Sequence, residues 1–342
     1  MMTLRILTGL WLLFLSYFCT ADEIELNPAH PQTYTVVKGD TLWDIAGRFL
    51  KKPWQWPEIW HDNPQISNPH WIYPGDVLAL SYVDGKPRLQ VERPSEIRLS
   101  PQVRVNPIAE AITTIPMNAI RPFLTHPKVA NAGELAKAPY VVDFAGEHVV
   151  GGAGDRIYVR SIEDSNTAAF MVFRPGQAYK DAESGEILGY EALYVADAEL
   201  RRTGDPATLL LTATDREVLI GDRLMPVEQE KIQMYYKPHA PAKPIRGHII
   251  SVIDGVTQIG QYDIVVIDRG VADGIETGHV LDIFQGSRIQ RDSVRAQFGE
   301  FVKLPSEKEG LLMVFRPFER VSFALVMDAT RAIHVLDAVQ TP

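Results

Sequence analysis

The sequence predicts an α+β chain: a small βααβ module, then a short helical bridge, then a mainly β C-terminal region of two small barrel- or sandwich-like units. Three observations predict it. Between Tyr34 and Leu80 the apolar spacing runs from alternation to a three-and-four period and back to alternation. Beyond Pro139 it becomes a series of short strand-like runs separated by Gly-Gly and Asp-Gly turns. Two phrases in that region recur in the same order, as related units would make them do.

Residues 1–21 stand outside the fold as an expected secretory signal peptide. Arg5 gives the positive start, Ile6 to Phe18 is an apolar run, and Cys19-Thr20-Ala21 is a small-residue cleavage site. The run is shorter than the roughly 20 residues a spanning helix needs, so the mature chain is expected to carry no integral membrane segment. An uncleaved anchor and a lipidated Cys19 are the alternatives. Cys19 is the one cysteine of the chain, which removes disulfides, thiolate metal sites and cysteine nucleophiles from the exported protein. With 34 basic against 43 acidic residues the formal net charge is −9, so no nucleic acid partner is expected.

The module itself spans 32–81. Thr33 to Val37 alternates as a strand, and Lys38-Gly39 turns. Asp40 or Thr41 caps a helix whose Leu42, Ile45, Ala46 and Phe49 share one face. Pro57 opens a second short helix carrying Ile59 and Trp60, Asn63-Pro64 ends it, and Pro74-Gly75 turns into a closing strand, Asp76 to Leu80. The blocks at 34–46, 63–64 and 72–78 resemble a LysM module in order and spacing. That resemblance implies a glycan containing N-acetylglucosamine, hence peptidoglycan or chitin, as ligand. It places Gly39, Asp40, Thr41 and Leu42 on one wall of a groove and Asn63, Pro64, Gln65 and Ile66 on the other. The tryptophans at 54, 56, 60 and 71 serve either packing or contact, since an indole offers both an apolar face and a donor.

Residues 82–138 read as a linker and short helical segment. Pro87, Pro94 and Pro101 break any period, whereas Asn106-Pro107 followed by Ile108, Ile112 and Ile115, and then Met117, Ile120, Phe123 and Leu124, suggest helical turns. Two β-rich units are expected at 139–240 and 245–342, divided by Pro238, Pro241 and Pro244. Met171-Val172-Phe173-Arg174-Pro175 recurs letter for letter at 313–317. Arg216, Val218, Ile220, Asp222 and Leu224 find looser matches in Arg331, Ile333, Val335, Asp337 and Val339.

A signal peptide, one LysM-like module with the insert Pro53-Trp54-Gln55-Trp56-Pro57-Glu58-Ile59-Trp60, and a long β-rich region together resemble the type IV pilus secretin-associated protein family, with a FlgT-like C-terminal region. The resemblance implies a periplasmic, non-catalytic anchor that holds peptidoglycan at one end and the oligomeric pilus secretin at the other.

Enzymatic signatures are not apparent. The histidines are scattered, no His-Glu-x-x-His, Gly-x-Ser-x-Gly or Ser-x-x-Lys occurs, and Gly151 to Asp155 lacks the Lys-Ser/Thr ending of a phosphate loop. No cofactor and no metal are therefore expected. The alternatives are a LysM-targeted peptidoglycan hydrolase and an anchor for a flagellar or other envelope assembly.

Overall fold

The computed structural model describes residues 24–60, 72–92, 112–125, 128–163, 167–227, 236–253, 258–286, 289–292 and 301–342. The chain divides into two units, Met1–Ile112 and Thr113–Pro342. The expected signal peptide falls outside the described residues, and among those described no helix is long and apolar enough to cross a membrane.

The N-terminal unit contains β1 (Thr33–Thr35), α1 (Leu42–Phe49), a 3-10 turn at Pro53–Gln55, α2 (Trp56–Ile59), β2 (Val77–Val83) and β3 (Lys86–Glu92). The strands form an antiparallel sheet in the order β1-β2-β3. Leu42, Ile45, Ala46 and Phe49 meet Trp56, Ile59, Leu78, Leu80, Leu89 and Val91 in one core. A helix as short as α1 is not stable alone, so this core and its cap hold it.

Two expectations change here. A linker was expected from residue 82, but β2 continues to Val83, turns at Asp84-Gly85 and returns as β3. Asp84 and Gly85 both have positive φ, the conformation that a two-residue hairpin requires and that Asp-Gly favours. Pro87 does not break the strand because β3 lies at the sheet edge. The helix expected from Asn106 lies mostly outside the described residues. Its described end is not helical, because the Ile112 amide donates to the Ile72 carbonyl at 3.0 Å and Ile112 joins the core.

The C-terminal unit opens with α3 (Met117–Thr125), β4 (Lys128–Ala130) and α4 (Ala132–Lys137). Six strands follow: β5 (Tyr140–Phe144), β6 (Arg156–Arg160), β7 (Ala169–Lys180), β8 (Ile187–Arg202), β9 (Ala207–Thr214) and β10 (Arg223–Pro226). Their antiparallel pairings run β5–β6–β9–β8–β7–β10 and return to β5, so the ring closes. β4 adds to the free length of β8. A second closed barrel is built from β11 (Arg246–Val252), β12 (Ile264–Ile267) and β13 (Val280–Phe284), then, past the hairpin β14 (Ile289–Arg291) and β15 (Phe301–Lys303), from β16 (Lys308–Pro317), β17 (Ser322–Ala329) and β18 (Ala338–Gln340).

Taken in chain order, the six strands of the first barrel correspond one to one with those of the second. The pairings Val141–Val159 and Ile249–Ile267 match, each followed by a bulge, before Asp143 and before Ser251. The isolated bridges Gly151–Val218 and Ile259–Ile333 match as well. Residues 139–160 therefore align with 247–268 without a gap. Val141, Ile157, Val159, Val195, Leu209 and Leu211 fill the first barrel, and Ile249, Val265, Ile267, Leu312, Val314 and Val326 fill the second. Burial of each such side chain contributes roughly 1.5–3 kcal/mol, and closure leaves no barrel edge for other strands to join.

The two sequence echoes separate at this point. Val218, Asp222 and Leu224 occupy the same places as Ile333, Asp337 and Val339, so the loose echo marks equivalent segments. The exact one does not. Met171–Pro175 lies on β7, a third strand, and Met313–Pro317 on β16, a fourth. A buried strand that draws on few residue types can repeat five letters without common position.

Candidate functional site

At one end of the N-terminal sheet two turns of the same construction lie side by side. In Val37-Lys38-Gly39-Asp40 the Asp40 amide donates to the Val37 carbonyl at 3.2 Å, and Asp40 Oδ2 accepts the Val37 amide at 2.9 Å. In Tyr73-Pro74-Gly75-Asp76 the matching distances are both 3.0 Å. Gly39 has φ +99° and Gly75 φ +101°, the left-handed position that a side chain would strain. Val36 fastens the two together: its amide donates to Asp76 O at 2.9 Å and its carbonyl accepts from Gly75 N at 2.8 Å.

The first turn leads directly into α1. Thr41, not Asp40, is the cap: its Oγ1 accepts from the Asp44 amide at 3.1 Å, while Asp44 Oδ2 accepts from the Thr41 amide at 3.2 Å. Asp40 is occupied elsewhere, since besides the Val37 amide it accepts from the Tyr34 hydroxyl at 2.9 Å. Burial first, and then the Asp40 carboxylate, raise the Tyr34 pKa above its ordinary value, which keeps the phenol a donor. Arg48 lies 4.6 Å over its ring.

This arrangement fixes what each residue offers. Thr41 and Leu42 are buried, so they present backbone only. No acceptor for the Leu42 and Trp43 amides occurs among the described residues, and these are donors that a helix start leaves unpaired. Around Gly39 a space of 4 Å is open where a side chain would stand. Asn63, Pro64, Gln65 and Ile66, the other expected wall, lie outside the described residues, as does Trp71. Trp54, Trp56 and Trp60 are buried, which places them in packing. Sequence reading missed Val37, which is exposed beside Gly39, because its alternation looked like that of a core strand.

A second cluster gathers His239, Glu276 and His279, whose ligand atoms lie within 4.8 Å of one another. Donor chemistry decides its role. His279 Nδ1 accepts the Glu276 amide at 3.0 Å, so its lone pair is committed and Nε2 carries the proton. His239 Nδ1 lies 3.0 Å from the Lys237 carbonyl and is therefore a donor. A cation on His279 Nε2 would turn Nδ1–H against the Glu276 N–H. His279 thus closes a turn, Glu276 to His279, as aspartate does elsewhere in the chain. Burial, followed by the neighbouring His239, lowers its pKa.

Residues 34–81 match the LysM domain. A stretch of 60 residues is 45% identical to the uncharacterized protein YqbP of Bacillus subtilis (strain 168). The match spans 15% of this chain and 27% of that protein, so the similarity is one of a module, not of the whole length.

Proposed function

We propose that this chain is a non-catalytic periplasmic anchor, holding peptidoglycan through its N-terminal unit and the oligomeric type IV pilus secretin through its C-terminal unit. A LysM domain is a carbohydrate-binding module, and peptidoglycan is the ligand it implies for residues 34–81. The observation that carries the reading is the pair of free amides at Leu42 and Trp43 beside the open Gly39 turn. Acetamido and hydroxyl oxygens of a glycan strand suit such donors. The family resemblance assigns Gly39, Asp40, Thr41 and Leu42 to one wall of the groove and Asn63, Pro64, Gln65 and Ile66 to the other. A few hydrogen bonds at about 1 kcal/mol each give affinities of roughly micromolar to millimolar, so retention on the wall would depend on several copies acting together.

The secretin half of the proposal is supported by the family resemblance and by two barrels whose interiors are filled with apolar side chains. Such barrels serve as rigid scaffolds. Purified sacculi should sediment the exported protein, and deletion of 34–81 should abolish this; undiminished sedimentation would refute the glycan reading. Crosslinking in envelopes that assemble pili should recover secretin with the C-terminal unit. Recovery of flagellar components instead would move the anchor to another client, and release of soluble muropeptides would make the protein a hydrolase.

A further inference from the structure

Residues 236–245 lead the chain from the first barrel into β11 of the second, and their start is docked on the turn that precedes β13. The His239 amide donates to the Gly278 carbonyl and the Val280 amide to the His239 carbonyl, both at 3.0 Å, which makes a parallel bridge between His239 and His279. Tyr236 and Pro238 are buried on either side of exposed Lys237. The fit is close. A Cβ at Gly278 would collide with the Lys237 carbonyl, and Gly278 has φ +95°. The His239 and His279 rings meet edge to face with centroids 4.7 Å apart.

An imidazole closes the turn on which the segment sits. The Glu276 amide donates to His279 Nδ1 at 3.0 Å, and the His279 amide to the Glu276 carbonyl at 3.2 Å. The turn just before it, Gly270 to Asp273, is closed by a carboxylate that accepts the Gly270 amide at 2.9 Å. Acid treats the two differently. A carboxylate keeps its lone pairs until pH falls to about 4, whereas an imidazole takes a proton in the histidine range, near about 6.5. Protonated Nδ1 becomes a donor facing the Glu276 N–H, so the bond that closes the turn is lost. His279 is 4% exposed, and its charge meets water only when the turn opens. The titratable groups facing it are His239 from the connecting segment and exposed Glu276 from its own turn, while β16 contributes the Val314 backbone, bonded to Gly278 and His279. A proton on His239 adds repulsion. Burial, then His239, lower the His279 pKa, so the turn is closed at neutral pH and yields below the ordinary histidine value.

We propose that the Glu276–His279 turn is an acid-released latch: a proton on His279 Nδ1 opens it, the Gly278 carbonyl withdraws from His239, and the segment joining the barrels leaves the second barrel while both stay folded. The barrels remain coupled through the β7–β8 hairpin. There Asp181 accepts from Arg269 at 3.1 Å, Glu186 from Arg320 at 2.8 and 2.9 Å, and Gln177 donates to Ser251 at 2.8 Å. The Ser184 amide chiefly, and for Glu186 the Arg320 guanidinium, hold these carboxyls below their ordinary range, so the contacts persist at pH 5. Acid loosens the joint without parting it, whatever either unit binds.

Hydrogen exchange of the exported protein, read by mass spectrometry at pH 7.5 and 5.0 and corrected for the intrinsic rate at each pH, tests the latch. Peptides spanning 236–240 and 276–280 should lose protection by about fivefold or more at the lower pH, while β12 and β17 keep theirs. His279→Asn retains an acceptor for the Glu276 amide and should hold the segment equally at both values. His279→Asp, with the acceptor used in the neighbouring turn, is the second such variant. Gly278→Ala should free the segment at both values without touching the imidazole. Unchanged protection of 236–240 at pH 5.0, an equal loss in His279→Asn and His279→Asp, or a loss shared by β12 and β17 would overturn the proposal.

Discussion

Asp263 does in the second barrel what Asp155 does in the first. Each accepts through Oδ2, at 2.8 Å, the amide of the glycine three residues before it, Gly260 and Gly152. Each also stands immediately before a strand, β12 or β6. The same turn recurs with Asp222 on Leu219 and Asp337 on His334, ahead of β10 and β18. In the N-terminal unit Asp40 and Asp76 close it. A charge-assisted acceptor fixed at the mouth of a strand sets where pairing starts, and its loss costs about 1–3 kcal/mol. Asp263→Ala and Asp155→Ala should therefore destabilise by similar amounts in that range, measured by urea unfolding, and Asn should recover part of the loss.

His279 occupies the corresponding place before β13, and this makes one barrel sensitive to acid. Its pKa is lowered in the fold, so the unfolded chain binds more protons as pH falls. Stability is then present above the ordinary histidine value of about 6.5 and declines as pH falls through the folded value. The groups facing it are His239 and Glu276. His279→Asn keeps an acceptor for the Glu276 amide and cannot titrate. Unfolding of that variant should lose the decline that sets in as pH falls below about 6.5, leaving only what the carboxylates contribute.

Glu309 has the opposite sign. It is buried beside Asp337, and burial first, then Asp337, raise its pKa. The native state thus holds a proton longer than the unfolded chain, and stability falls as pH rises above the ordinary carboxylate range. Glu309→Gln should raise the melting temperature near neutral pH, and the gain should vanish near pH 4, checked by calorimetry at both values.

Leu89 and Val91 belong to the N-terminal core although they lie beyond the matched module. Leu89→Ala should cost about 2–4 kcal/mol, a typical loss for a buried leucine. A fragment ending at residue 81 should melt below one ending at 92, and equal melting would remove β3 from the core.

At Gly39 stability and binding should part company from those at Thr41. Gly39→Val meets no neighbour but must hold φ +99°, at a cost of roughly 1–2 kcal/mol, and its side chain fills the open space. Thr41→Ala removes the cap at about 1 kcal/mol and leaves that space clear. Sedimentation with sacculi under conditions where both variants are folded should fall for Gly39→Val and hold for Thr41→Ala.

Much of this protein was legible in its sequence because the signals are local. The three-and-four spacing of Leu42, Ile45, Ala46 and Phe49 decides a helix face, and alternating runs bounded by Gly and Asp decide strands. Asp84-Gly85 was a hairpin signal as well, though Pro87 hid it. Tertiary structure alone decided where the strands close. Pairing β5 with β10, or β6 with β9, joins segments distant in sequence, and no spacing records such a partner. For the same reason the exact five-residue echo misled while the loose one held: equivalence resides in register and turn geometry, which only the paired strands express. The division of labour between Asp40 and Thr41 was likewise settled by distance, since either side chain can cap a helix and only the fold brings Tyr34 and Val37 to the first of them.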